Sequence, residues 1–263
     1  MIRRILNAYS IEWTKQSRQM FTFVGPAFVV LLVLLTPLQY PLHHDAANDY
    51  GFIAYALPMS LNFFGFLMLL VYSASLVATE LSTGTIRTLL VRPLRRSEFL
   101  AAKMLIGMTY ALMLSFAASA TVWALAFFLG DLNGIEYGGE LIYSNEEMLQ
   151  TFLIAMLLNL LTQFAGVAWG LLFSTLTRSA ATAIGLAVGS WLLLDFLKHP
   201  LNIAPFLFSS YLEQTWTVFA DRCAAFETSF FPDAYYGIAA STGAAVVCFS
   251  LALFVLARRN LGS

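Results

Sequence analysis

Six long apolar runs decide what this chain can fold into. They cover about Phe21 to Leu38, Tyr55 to Ala78, Phe99 to Leu129, Leu149 to Leu176, Ala180 to Leu197 and Ala234 to Ala257. A hydrocarbon layer of about 30 Å needs roughly 20 mostly apolar helical residues, so each run reads as a membrane-spanning helix. The third and fourth exceed that length and are expected to tilt or to project into the headgroup layer. Only 11% of the 263 residues are charged, against about a quarter in soluble domains, too few to cover a wetted surface. The fold class is therefore an all-α membrane protein, with residues 1–263 forming a single transmembrane domain. The N-terminus, Met-Ile-Arg-Arg, turns polar before its first apolar run and shows no small-residue cleavage site, so no removable signal peptide is expected.

Charge placement orients the bundle, because Lys and Arg favour the cytoplasmic side of short loops. With the N-terminus inside, Arg3, Arg4, Lys15, Arg18, Arg87, Arg92, Arg95, Arg96, Lys103, Arg178, Arg258 and Arg259 are cytoplasmic, 12 of the 14 basic residues. Only Lys198 and Arg222 fall outside, while 12 of the 15 acids do. An odd number of spans would scramble this alternation, so six spans and two cytoplasmic ends are expected. The net charge of -1 hides this segregation and gives no reason to expect a nucleic-acid partner. Residues 1–20 carry Ile2, Ile5, Leu6, Tyr9 and Trp13 at helical spacing, which predicts an amphipathic helix in the cytoplasmic interface, touching membrane lipids. A short helix docked on another protein chain is the alternative.

The stretch from Glu80 to Lys103 is the most informative. Gly84 permits a sharp bend, Thr83 or Thr85 can cap a new helix, and Pro93 stops that helix after about two turns. Ser97 is expected to cap the third span, with Glu98 complementing its positive end. A short helix bearing Ile86, Arg87, Leu89 and Leu90, held beneath a membrane, suits docking into a groove of a soluble partner. A basic loop that merely sets topology is the alternative reading.

This segment resembles the first cytoplasmic loop of the ABC type-2 export permeases. Glu80, Gly84, Thr85, Ile86, Arg87, Leu89, Leu90, Pro93, Arg96 and Lys103 match that family's pattern in order, and the resemblance extends along the whole chain. It implies that the 80–96 loop holds a coupling helix contacting an ABC ATPase subunit, present in two copies. The turn at Arg178 would be a smaller second contact. It also implies a permease dimer, either a homodimer or a pairing with a similar permease, in a bacterial cytoplasmic (inner) membrane. The chain has no Gly-x-x-x-x-Gly-Lys-Ser/Thr phosphate loop. It is thus not expected to be an enzyme or to hold a cofactor; ATP and Mg would be bound by the partner ATPase.

Polar groups in hydrocarbon are costly and mark either function or helix packing. Asn62, Asn159 and Gln163 fit a translocation path or interhelical bonding. Gly166 with Gly170, and Gly185 with Gly189, fit close helix approach. No Asp, Glu, Lys or Arg is expected at mid-span, which argues against a proton-coupled carrier, and Asp195 near an outer end can be solvated. His43, His44, Asp45 and Asp49 suit a transition metal by chemistry or a solvated loop by their adjacency. Cys223 and Cys248 fall in an outer loop and a span, where no disulfide is expected. Residues 198–233 are too apolar for a free loop, so short helices roofing the cavity are expected, or a surface for an extracytoplasmic partner. Taken together, the residues support export of a lipid, peptide, drug or similar substrate, with a non-transporting membrane scaffold or anchor as the alternative. An intramembrane enzyme would need paired acids, a His cluster or an activated Ser, which the spans do not offer.

Overall fold

The computed structural model describes residues 2–43, 49–84 and 95–259 of the chain. Among them, six helices are long and apolar enough to cross a membrane: Phe21–Leu38, Tyr50–Ser82, Arg96–Leu129, Asn145–Leu176, Ala180–Leu197 and Asp233–Arg258. They coincide with the six expected runs, the second starting five residues early. Helix α1 (Ile2–Ser17) precedes them, and α2 (Phe21–Leu35) forms the first span with a 3-10 turn over Thr36–Leu38.

The second span changes helical type along its length. It runs as α3 (Tyr50–Leu57), a π-helical segment (Pro58–Gly65) and α4 (Phe66–Ser82). Pro58 has no N–H and crowds the preceding turn, so the ordinary ladder is interrupted there. The chain answers by widening, and the Phe66 N–H bonds Leu61 O, five residues back.

Helices α5 (Arg96–Leu129) and α6 (Asn145–Leu176) form the third and fourth spans. Ser97 does not cap α5. Arg95 takes that position, and its N–H donates to Glu98 Oε2 at 3.0 Å, so Glu98 supports the helix start as expected. Ser144 caps α6, its hydroxyl accepting from the Glu147 N–H while its own N–H donates to the Glu147 carboxylate. Between them lies an unforeseen hairpin, β1 (Ile135–Tyr137) paired antiparallel with β2 (Glu140–Tyr143). Gly138 and Gly139 turn it at φ +64° and +88°, the sign that a two-residue hairpin turn of this type requires. Helices α7 (Ala180–Leu197) and α9 (Asp233–Arg258) complete the spans, with α8 (Ser210–Cys223) between them.

Spans two and four form the centre of the bundle, at 67% and 56% buried, whereas α7 and α9 are each 17% buried. Glycines on α6 allow the central approach. A Cβ at Gly166 would stand 2.3 Å from Phe66 Cε2, and one at Gly170 would stand 2.0 Å from Ser73 Oγ. Gly170→Val should therefore destabilise the chain by about 1–3 kcal/mol through overpacking, read as a fall of about 5 °C in melting temperature. Among the described residues nothing lies within 4 Å of a Cβ at Gly185 or Gly189, so α7 makes no close approach to another described helix through them.

Candidate functional site

Helix α1, the end of α4, the start of α5, the α6–α7 turn and the end of α9 meet at one end of the bundle, termed below the basic face. A buried ion cluster ties them together. Lys103, two turns into α5 and fully buried, donates to Glu12 Oε2 of α1 and Glu80 Oε1 of α4, each at 2.7 Å. Lys15 of α1 donates to the same Glu80 oxygen at 2.6 Å. Burial opposes the Lys15 charge, but the bond to Glu80 and the charges of Glu80 and Glu12 outweigh it and raise the Lys15 pKa. Buried charges persist only when paired, and here two carboxylates and two ammonium groups balance. Glu80 is thus turned into the chain rather than towards a partner, and it joins the root of the α4–α5 connection to α1.

Helix α1 forms where expected, with Tyr9 and Trp13 of its expected apolar face half-buried against the bundle. Ala8, Glu12 and Gln16 form its buried stripe, and Tyr9 bonds Thr109 of α5 at 2.9 Å. Ile2, Leu6 and Ile11 stay exposed. Periodicity of apolar residues alone did not mark Glu12 as inward, because a carboxylate there depends on Lys103, ninety-one residues later.

Arg96 and Arg259 make a second link. The Arg96 guanidinium donates to Leu256 O, Ala257 O and Arg259 O at 2.8, 2.7 and 3.1 Å. These are orphan carbonyls at the end of α9, where the helix dipole favours a cation. Arg259 in turn donates to Thr175 O and, at 3.0 Å, to Thr177 O at the end of α6. Arg178 next to it is exposed. Gly84 makes the expected bend, at φ +70°. Thr85, Ile86, Arg87, Leu89, Leu90 and Pro93 lie outside the described residues, as do His44 and Asp45.

The mid-bundle amides are joined and buried. Asn159 Nδ2 donates to Asn62 Oδ1 and to Leu212 O, both at 3.1 Å. Gln163 Nε2 donates to Asn159 Oδ1 at 2.7 Å and Ser115 Oγ at 3.0 Å. The network links α6 to the π-helical segment, α5 and α8. Asn62 Nδ2 alone among these amide groups is buried without a partner. Since Leu212 belongs to α8, the connection before the last span folds back to meet mid-helix residues of α6. Tyr211, Trp216 and Phe219 are buried by that return.

The opposite face is acidic but internally tied. Asp49 accepts from the N–H groups of His43 and Asp131, at 2.6 and 2.7 Å, and the His43 ring stands 3.4 Å from the Asp49 carboxylate. Among the described residues no group of three or more His, Cys, Asp or Glu is arranged for a metal ion. Asp195 is paired with Lys198 at 2.9 Å rather than left to solvent. Arg222 donates to Thr151 Oγ1 and Thr228 O and stands over the Tyr143 ring. Cys223 and Cys248 form no disulfide.

A family model described as ABC-2 family transporter protein matches residues 6–210. No curated protein matches the chain.

Proposed function

The chain belongs to the ABC-2 transporter family, and from that premise we propose that it is the permease subunit of an ATP-driven exporter, coupled through its basic face to a separate ATPase. The family supplies a transmembrane subunit that is not itself catalytic, in keeping with the missing phosphate loop. In this reading the basic face is cytoplasmic in a bacterial inner membrane. Two permease copies, alike or similar, pair with two ATPase subunits, and the open glycine face of α7 offers room for close helix approach. The substrate is a lipid, peptide, drug or similar apolar molecule.

The observation that carries the reading is the anchoring of the loop's two roots. Glu80 and Lys103 bond each other across them, while Arg96 grips the end of α9. A push on residues 84–95 therefore reaches spans two, three and six together, as a coupling element requires. Glu80, Arg96 and Lys103 position the loop in this scheme; Gly84, Thr85, Ile86, Arg87, Leu89, Leu90, Pro93 and Arg178 make or shape the contact.

Copurification tests it. The wild-type chain should retain a stoichiometric ATPase, and Arg87→Glu with Leu90→Asp should lower that retention at least about ten-fold, with the permease still monodisperse. Unchanged retention and unchanged coupled ATP hydrolysis in that double variant would sink the coupling assignment.

A further inference from the structure

A cationic groove separates α1 from α4 on the basic face. Lys15, Gln19, Phe21, Ser75, Leu76 and Thr79 line it, around a volume of about 310 Å³. A second recess of about 480 Å³ adjoins it, lined by Ile11, Thr14, Lys15 and Arg18. Lys15 belongs to both, and among the described residues no acidic side chain lines either.

These recesses keep free donors on Lys15 and one unbalanced charge, that of Arg18. An ammonium has three donors, and Lys15 uses one of them on Glu80. Glu80 already shares Lys103, and the two carboxylates of the cluster balance the two lysines. Arg18 is therefore surplus, and among the described residues it enters no ion pair within 4 Å. The hydroxyls opposite have the reverse character. Ser75 Oγ donates to Tyr72 O at 2.7 Å and Thr79 Oγ1 to Ser75 O at 2.8 Å, so both present lone pairs only. Beside these polar groups stand Phe21 and Leu76, and Phe21, the first residue of the first span, is half exposed.

Cations for a phosphodiester, acceptors for hydroxyls and an apolar wall leading into a membrane span together describe one class of ligand. We propose that the groove binds an anionic phospholipid with a polyol headgroup, drawn from the leaflet on the basic face. The phosphate sits between Lys15 and Arg18, the headgroup hydroxyls donate to Ser75 and Thr79, and an acyl chain follows Phe21. A water-soluble phosphate would leave the apolar wall unused. The position matters because the phosphate and Glu80 share Lys15, so an occupied groove touches the ion cluster directly.

Native mass spectrometry of the detergent-purified full chain tests this with phosphatidylglycerol and phosphatidylcholine as probes. One phosphatidylglycerol should be retained per chain in clear preference to phosphatidylcholine. Arg18→Gln changes an exposed side chain outside the ion cluster and should cut that retention about five-fold, the effect of one basic residue at a lipid surface. Arg4→Gln, an equal charge change near the start of α1 and outside both recesses, should leave it intact, and Lys15→Arg should preserve it. Equal retention of the two lipids, or full retention in Arg18→Gln, would overturn the proposal. Complete displacement by millimolar glycerol phosphate would also overturn it, by assigning the groove to a soluble anion.

Discussion

Lys103→Met is expected to be among the most damaging single substitutions in the described chain, costing about 3–5 kcal/mol. The side chain is fully buried and satisfies Glu12 and Glu80 at once, at 2.7 Å each. Removing it leaves two carboxylates facing one another with only the half-exposed Lys15 to serve them. Breaking one partner of a buried pair is far more costly than replacing the whole group by apolar side chains of similar volume. The triple variant Glu12→Met, Glu80→Met, Lys103→Met should therefore recover most of the loss. Thermal unfolding of the purified protein reads both, and a wild-type melting point for Lys103→Met alone would show that the cluster contributes nothing to stability.

The second large effect is expected from Asn159→Leu. This amide serves Asn62, Leu212 and Gln163, and each buried partner left unpaired costs about 1–3 kcal/mol. Replacing Asn62, Asn159 and Gln163 together by leucine removes donors and acceptors alike and should restore much of the stability. That triple variant also separates the two readings of the amides. If it folds and still exports, the network serves helix packing. If it folds and export is lost while the ATPase remains coupled, the amides belong to the path.

The spans were legible because membrane crossing needs only length and hydropathy, and Phe99 to Leu129 announces itself within one window. The short helices before the last span were legible for a related reason, since Phe206, Trp216 and Phe219 are too apolar for a free loop. The π-helical segment was signalled only by Pro58, which on its own predicts a kink as readily as a widened turn. The hairpin had a usable signal in Gly138-Gly139 between alternating residues, overshadowed by the apolar runs on each side. Partnerships across the sequence were not legible. Nothing near Glu80 says that its carboxylate faces Lys103 and Lys15, and nothing near Arg96 says that it reaches the end of α9. Such residues read locally as outward-facing charge, and only the assembled bundle turns them inward.

The grip of Arg96 on α9 has a consequence for the order in which the molecule is made. Its acceptors follow it by 160 to 163 residues, so at roughly 5–20 residues per second the arginine waits on the order of 10–30 s for them. During that interval the first three spans exist with their shared anchor unfilled. The joint closes only once α9 and Arg259 have been delivered, so this face acquires its final shape late, after the other five spans have been made.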